Sequence, residues 1–267
     1  MGLNLLTSSQ LDKELLTHMT TDYTGSEINL AKQFGIEGKE WRLIPGNILA
    51  LLGPTGGGKS ALCQQIVKEA GIPTLVASLE VSPTQMYRRD IQQLTGMTKQ
   101  EVQNAILNNT LPDLSRYTDH VHYVDTYSLD MPSIVDLIKT YDGQFKVLVL
   151  DHIKLINGAV DTFARLGEIT RELKMLALKH NIIIIEISQV SNTVARHNTW
   201  DAVSGSGNGS IGQDADMVMA IVGDNTRPER VIKLLQNRDG DHVPDFNAKM
   251  NDAFQIVRTA PTHTLGF

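Results

Sequence analysis

Lys59 and Ser60 follow three consecutive glycines, and that combination is suited to holding phosphate. Gly53-Pro54-Thr55-Gly56-Gly57-Gly58-Lys59-Ser60 reads G-x-x-x-x-G-K-S, the form of a phosphate-binding P-loop. Glycines let backbone N–H groups close on phosphate oxygens, and a helix beginning at the loop adds partial positive charge. Lys59 is expected to reach the β- and γ-phosphates of a nucleotide, and the Ser60 hydroxyl to ligate Mg²⁺. A second acid for the metal stands in Lys146-Val147-Leu148-Val149-Leu150-Asp151, an apolar run ending in a carboxylate, the form of a Walker B element. Hydrolysis needs a base as well. Val76-Ala77-Ser78-Leu79-Glu80 ends another apolar run in a glutamate, and Glu80 is the candidate general base. The competing role for Glu80 is capping the helix that Ser82-Pro83 would open. A third run, 182–187, leads into Ser188-Gln189, where Gln189 is placed to touch the γ-phosphate or its water. Carboxyl ends of strands in an open α/β sheet gather around one ligand, which would bring these groups together.

The elements that must position them follow from hydrophobic pattern. Short apolar runs at 48–52, 74–79, 122–124, 146–150, 182–187, 217–222, 231–235 and 255–257 read as strands. Stretches 60–70, 84–94, 133–140 and 163–180 read as helices. Val/Ile/Leu-rich strands alternating with helices predict an α/β fold with a mostly parallel central sheet and helices on both faces. The last strands have no helices between them, which predicts an antiparallel section near the C-terminus. Residues 1–40 read as an amino-terminal arm with a short amphipathic helix near 9–16 and a serine cap, and 41–267 as the main domain. The Gly/Ser/Asn-rich stretch 204–210 reads as a flexible loop.

Composition narrows the class. The 267 residues are 41% hydrophobic and 20% charged, ordinary for a globular domain. The longest purely aliphatic run, 182–185, is far too short to cross a bilayer. Cys63 is the single cysteine, so no intrachain disulfide forms, and a cytoplasmic, reducing setting is expected. The eight histidines show no metal spacing; zinc is not expected, and His152 reads as structural. A net charge of −6 excludes a polycation that coats nucleic acid. A polyanion partner would need positive charge that is local or pooled from several subunits.

At this point the chain resembles the motor domain of the DnaB-type hexameric replicative helicases. Ser78-Leu79-Glu80-Val81-Ser82-Pro83-Thr84-Gln85-Met86, followed by Arg89, resembles the family's segment around its catalytic glutamate. Leu166-Gly167-Glu168-Ile169-Thr170-Arg171-Glu172-Leu173-Lys174-Met175-Leu176-Ala177 resembles the helix after its Walker B strand, and Ile187-Ser188-Gln189-Val190-Ser191 its sensor segment. The most specific match is Gly209-Ser210-Ile211-Gly212-Gln213-Asp214-Ala215-Asp216.

The resemblance implies a RecA-like fold and a homo-oligomeric ring, usually a hexamer. ATP would lie between subunits and single-stranded DNA would pass through the centre. It also implies work in DNA replication, at the fork or nucleoid, beside a primase, loader or polymerase. By the same resemblance Arg238 is the arginine finger given to a neighbour's nucleotide, with a surface arginine in a hairpin turn as the bland alternative. The family's usual lysine two residues earlier is Gln236 here, and Arg227, Arg230 and Lys233 are nearby substitutes. The DNA-facing loops would be 192–197 and 204–211, with Arg196 and His197 supplying charge and the stretch holding Asn208, Gly209 and Ser210 offering backbone N–H groups to phosphates. Trp200 is the one nearby aromatic for base stacking. The family's partner-binding domain has no counterpart in these residues. The short arm is expected to pack on an adjacent subunit, or else on its own core. A RecA-like recombinase or strand-annealing ATPase, and a nucleotide-switched oligomer without motor activity, are the alternative readings.

Overall fold

The computed structural model describes residues 7–156, 163–190, 200 and 211–259. In chain order these form α1 (Ser8–Thr20), β1 (Ile28–Asn29), α2 (Leu30–Gln33), β2 (Arg42–Leu43), β3 (Ile48–Gly53), α3 (Lys59–Ala70), β4 (Thr74–Ser78), α4 (Pro83–Thr95), α5 (Lys99–Leu107), α6 (Ser115–Thr118) and β5 (Val121–Tyr123). There follow α7 (Met131–Thr140), β6 (Val147–Asp151), a 3-10 turn (Ile153–Leu155), α8 (Phe163–His180), β7 (Ile183–Gln189), α9 (Ile211–Asp214), β8 (Met217–Val222), β9 (Glu229–Asn237), β10 (Phe246–Met250) and β11 (Ile256–Arg258).

The main sheet runs β11-β10-β9-β8-β3-β7-β6-β4-β5. From β8 to β5 every pairing is parallel. From β8 through β11 the pairings are antiparallel. This is the predicted α/β sheet with its antiparallel end.

The strands read as unbroken apolar runs because both faces are covered. Leu49, Leu51, Val149, Ile185 and Met219 point to the side holding Leu62 and Ile66 of α3 and the aromatic group Phe34, Trp41 and Phe246. Ile48, Ala50, Leu148, Leu150 and Ile184 point the other way, onto Ile134 and Ile138 of α7 and Ile169 and Leu173 of α8. Each fully buried aliphatic side chain of this kind contributes about 1.5–3 kcal/mol.

Local signals set the helix ends. Ser82 caps α4 through the Gln85 amide, with Pro83 in the first turn. Gly71 and Gly96 end α3 and α4 in the left-handed conformation, which glycine adopts without steric cost. α1 is capped by Thr7 in a reciprocal capping box with Gln10, not by a serine, and runs four residues beyond the expected end. Of the first forty residues, α1 is exposed along its described side chains, while Ile28, Leu30 and Phe34 are packed into the core.

Asp216 closes the segment that gave the most specific family match, and its role is structural. Its carboxylate accepts from the Ile48 amide at 2.7 Å and from Lys174 Nζ at 2.7 and 2.8 Å. It thereby ties α8 and β8 to the start of the P-loop strand. Trp200 is partly buried and leans on the α7/α8 core cluster.

Candidate active site

Register aligns the strand ends that matter. Gly53 of β3 sits beside Gln189 of β7, Ile187 of β7 beside Asp151 of β6, and Asp151 beside Ser78 of β4. The P-loop, Asp151, Gln189 and the approach to Glu80 therefore share one carboxyl edge. Gly53 must be glycine, because a Cβ would lie 2.8 Å from the Ile221 carbonyl oxygen. Gly58, the N-cap of α3, has φ of 104°, and a Cβ there would meet Met250 Sδ at 2.9 Å. Only a bare backbone fits there, leaving the first N–H groups of α3 facing the cleft.

The groups predicted to act together meet here. Ser60 Oγ donates to Asp151 Oδ2 at 2.5 Å. Lys59 Nζ donates to the Pro54 carbonyl at 2.8 Å, inside its own loop. Gln189 Nε2 donates to Thr55 Oγ1. Glu80 lies just past β4, and the Leu79 amide donates to the Asp151 carbonyl at 2.6 Å. These groups line a cleft of about 170 Å³ together with Arg89, His152, Met250 and Phe254.

Burial pushes the Asp151 carboxyl up and Ser60's hydrogen bond pulls it back. Burial draws the Lys59 ammonium down, countered by Asp151 and Glu80. Arg89 is drawn down by burial, with Asp151 and Glu80 opposing. Lys59 and Arg89 therefore face Asp151 and Glu80 in a partly desolvated cleft, where charge interactions are stronger than in water. The Ser60–Asp151 pair is a set of hard oxygen donors at a helix N-terminus, which fits Mg²⁺.

Arg230 supports the loop from behind. It is buried, and its Nε donates to the Gly57 carbonyl at 2.8 Å while Nη1 holds the carbonyls of Arg227 and Glu229 at 2.5 and 2.8 Å. Lys233 pairs with Asp245 at 2.6 Å. Both cations are engaged within this subunit, while Arg227, the third candidate stand-in for the lysine replaced by Gln236, is exposed. Gln236 Nε2 itself donates to the Ala215 carbonyl at 2.7 Å.

Arg238 lies apart from this cleft. It follows β9, whose Asn237 pairs with Met217, and Met217 pairs with Leu49 near the start of β3. Arg238 is exposed at the amino edge of the parallel strands, opposite the P-loop, where it donates to the Gln213 carbonyl. Arg196, His197, Asn208, Gly209 and Ser210 lie outside the described residues.

Two cleft residues escaped the pattern reading, and His152, read from the sequence as structural, lines the cleft as well. The His152 ring stands 3.8 Å from Glu80, placed by the 3-10 turn that follows β6. Met250 and Phe254 come from a hairpin far along the chain. Arg89 was legible only as part of a resembling segment, although its helix follows Glu80 directly.

A sequence profile of the DnaB-like helicase C-terminal domain matches residues 42–248. The chain belongs to the DnaB-like helicase C-terminal domain family. Solved structures agree at the level of fold. One, described as an ATPase domain, is 15% identical over 95% of this chain and 98% of that chain, with a TM-score of 0.76. A DnaB-like replicative helicase, described with its interactions with primase, is 15% identical over 95% of this chain and 67% of that one, with a TM-score of 0.75. The RadB recombinase is 20% identical over 81% of this chain and 92% of that chain, with a TM-score of 0.55. No curated protein sequence is similar to this chain. Within the family's fold, this domain's P-loop, Asp151 and Gln189 occupy one sheet edge and Arg238 the other.

Proposed function

We propose that this chain is an ATP-hydrolysing motor that assembles into a ring and moves on single-stranded DNA in replication. One observation carries the reading. The groups suited to phosphate, metal and water converge on the carboxyl edge of the sheet, while Arg238 is exposed on the amino edge. A head-to-tail ring would bring one subunit's Arg238 to the next subunit's cleft, since heterologous contacts of fixed rotation close into rings.

The geometry supports a set of roles. The α3 N-terminus and Lys59 bind the β- and γ-phosphates, and Ser60 and Asp151 hold Mg²⁺, which neutralises charge on the phosphates. Arg89 adds a second cation in the same subunit. Glu80 takes the proton of the attacking water, and Gln189, linked to the P-loop through Thr55, orients that water. Arg238 stabilises transition-state charge from the neighbouring subunit, for which a planar guanidinium is suited. DNA contact falls to the loops 192–197 and 204–211. Pooling several copies around one pore offsets the net negative charge, and binding through phosphates gives steep salt dependence with little sequence preference.

The higher likeness to the DnaB-like fold than to the RadB recombinase favours a helicase over a filament-forming recombinase. The test is unwinding of a fork with a single-stranded tail, alongside hydrolysis with and without single-stranded DNA. Unwinding coupled to DNA-stimulated hydrolysis is expected. Stimulated hydrolysis on filaments with no unwinding would point to a recombinase. Nucleotide binding with no response to DNA would point to a switch.

A further inference from the structure

Phe254 lies in the turn between β10 and β11 with φ of 60°, a backbone conformation that a bulky side chain rarely adopts and that persists only where its surroundings over-determine it. Here they do. The Phe254 amide donates to the Asn251 carbonyl at 3.0 Å, and Asn251 Oδ1 accepts from the amides of Ala253 and Gln255, each at 3.0 Å. α4 grips the same turn: Gln92 Nε2 donates to the Asp252 carbonyl at 3.4 Å, and Gln93 Nε2 to the Phe254 carbonyl at 2.8 Å. Gln255 Nε2 returns a bond to the Gln93 carbonyl at 2.7 Å. α3 grips the next residue, where Gln65 exchanges bonds of 3.1 and 2.9 Å with the Ile256 backbone. Buried Gln93 also donates to the Ala61 carbonyl at 2.8 Å and accepts from Lys68 at 2.6 Å. The turn is thus keyed both to the P-loop helix and to the helix that carries Arg89.

What this placement achieves is a ring beneath a cation. Arg89 Cζ stands 5.2 Å from the centroid of Phe254, within range for a cation–π contact. The Arg89 Nε is buried with no hydrogen-bond partner among the described residues. A long side chain without such an anchor samples many rotamers, and the ring face restricts it.

We propose that Phe254 is a positioning residue. Its ring holds the Arg89 guanidinium in the cleft, directed at the nucleotide phosphates, and the strained turn 251–255 sets that position. This rests on the reading of the cleft as an ATP-hydrolysing site.

Steady-state ATPase measurements on the full chain test it, comparing Phe254→Leu, Phe254→Tyr, Phe254→Gly, Arg89→Ala and the Arg89→Ala/Phe254→Leu double variant. Phe254→Leu should lower kcat/KM by about three- to thirty-fold, and Phe254→Tyr should stay within about twofold of the wild type. Phe254→Gly should lose as much activity as Phe254→Leu, while its stability reflects both the packing lost on the core, against which the ring rests, and the strain relieved at this φ. In the Arg89→Ala background, Phe254→Leu should add nothing. A full Phe254→Leu penalty in that background would overturn the proposal, since the ring would then act on the nucleotide base or on packing alone. A wild-type rate abolished by Lys59→Ala but intact in Phe254→Leu would overturn this inference and leave the ATPase reading standing. No hydrolysis by the wild-type chain would overturn both.

Discussion

Lys59 and Glu80 stand in one cleft with separable tasks, and the separation is measurable. Lys59 is a partly desolvated cation inside the P-loop, so on the proposed reading it would interact with phosphate in ground and transition states alike. Glu80 is set past the end of β4, with its side chain 57% exposed, and is suited to accepting a proton. Lys59→Ala should therefore weaken nucleotide binding, read by a fluorescent nucleotide analogue. Glu80→Gln should keep binding and lose turnover by roughly two to four orders of magnitude. Normal hydrolysis by Glu80→Gln would reassign the base. A different residue controls stability. Glu186 is fully buried on β7, its oxygens 3.2 Å from the Thr170 hydroxyl. Burial raises its carboxyl from 4.5 to about 8. Between those values the folded chain holds a proton that the unfolded chain releases, so stability is full below the lower one and falls as pH rises toward the upper. At about 1.4 kcal/mol per pH unit, the loss by pH 7 is on the order of 3 kcal/mol. Glu186→Gln should flatten the fall of Tm between pH 5 and pH 8 and be the more stable form at the upper end. Parallel melting curves for the two proteins would remove Glu186 as the cause.

At the scale of elements, α1 is the one long helix without a described core to cover it. Leu11, Leu15, Leu16 and Met19 are 50%, 57%, 63% and 74% exposed, and they lie along one helical stripe. A helix of 13 residues is marginal in water by itself, so an adjacent subunit is its proposed support. Removing residues through Gly25 should leave the core's melting and nucleotide binding unchanged while weakening assembly at least about a hundredfold, the equivalent of burying two leucines. Light scattering at low micromolar concentration reads this directly, and full rings from the truncated chain would refute it. The central strands were legible because burial on both faces writes an unbroken apolar run. α8 was legible to the residue from its helical period. β10 was not: Phe246 and Ala248 face inward and Asn247 and Lys249 outward, a weak alternation built from poor strand formers. α5 was missed although Thr98 and Glu101 form a capping box, a signal the sequence does carry. The P-loop, Asp151 and Glu80 were legible from local pattern because each ends or follows a strand at one edge. Phe254 and Met250 were not, because they reach the cleft through a hairpin whose position depends on bonds to α3 and α4, distant in sequence.

For the whole molecule, the two sheet edges constrain how the proposed catalysis would be organised. Arg238 sits on the amino edge, and the strands of the sheet separate it from Lys59 on the carboxyl edge. It cannot serve its own nucleotide, so any catalytic part it plays crosses a subunit boundary. Gln236 is neutral and bonded to Ala215, and Arg230 and Lys233 are engaged internally. On the proposed reading, Arg238 would carry the trans charge without help from these three. Arg238→Ala should lower turnover on the order of a thousandfold in assembled rings, with nucleotide affinity little changed. Lys59→Ala should also be inactive. In an equal mixture of the two inactive proteins, about a quarter of head-to-tail interfaces would join an intact Lys59 to an intact Arg238. Those interfaces should hydrolyse ATP, so the mixture should regain a measurable fraction of the wild-type rate, rising with the time allowed for subunit exchange. Recovery of this kind cannot come from a residue acting within its own subunit, because neither variant then holds a complete site. The trans assignment fails if Arg238→Ala retains near-normal, DNA-stimulated turnover in rings of verified size. A mixture that stays inactive while Arg238→Ala rings are also inactive would instead indicate a concerted ring, in which one defective site stops all the others.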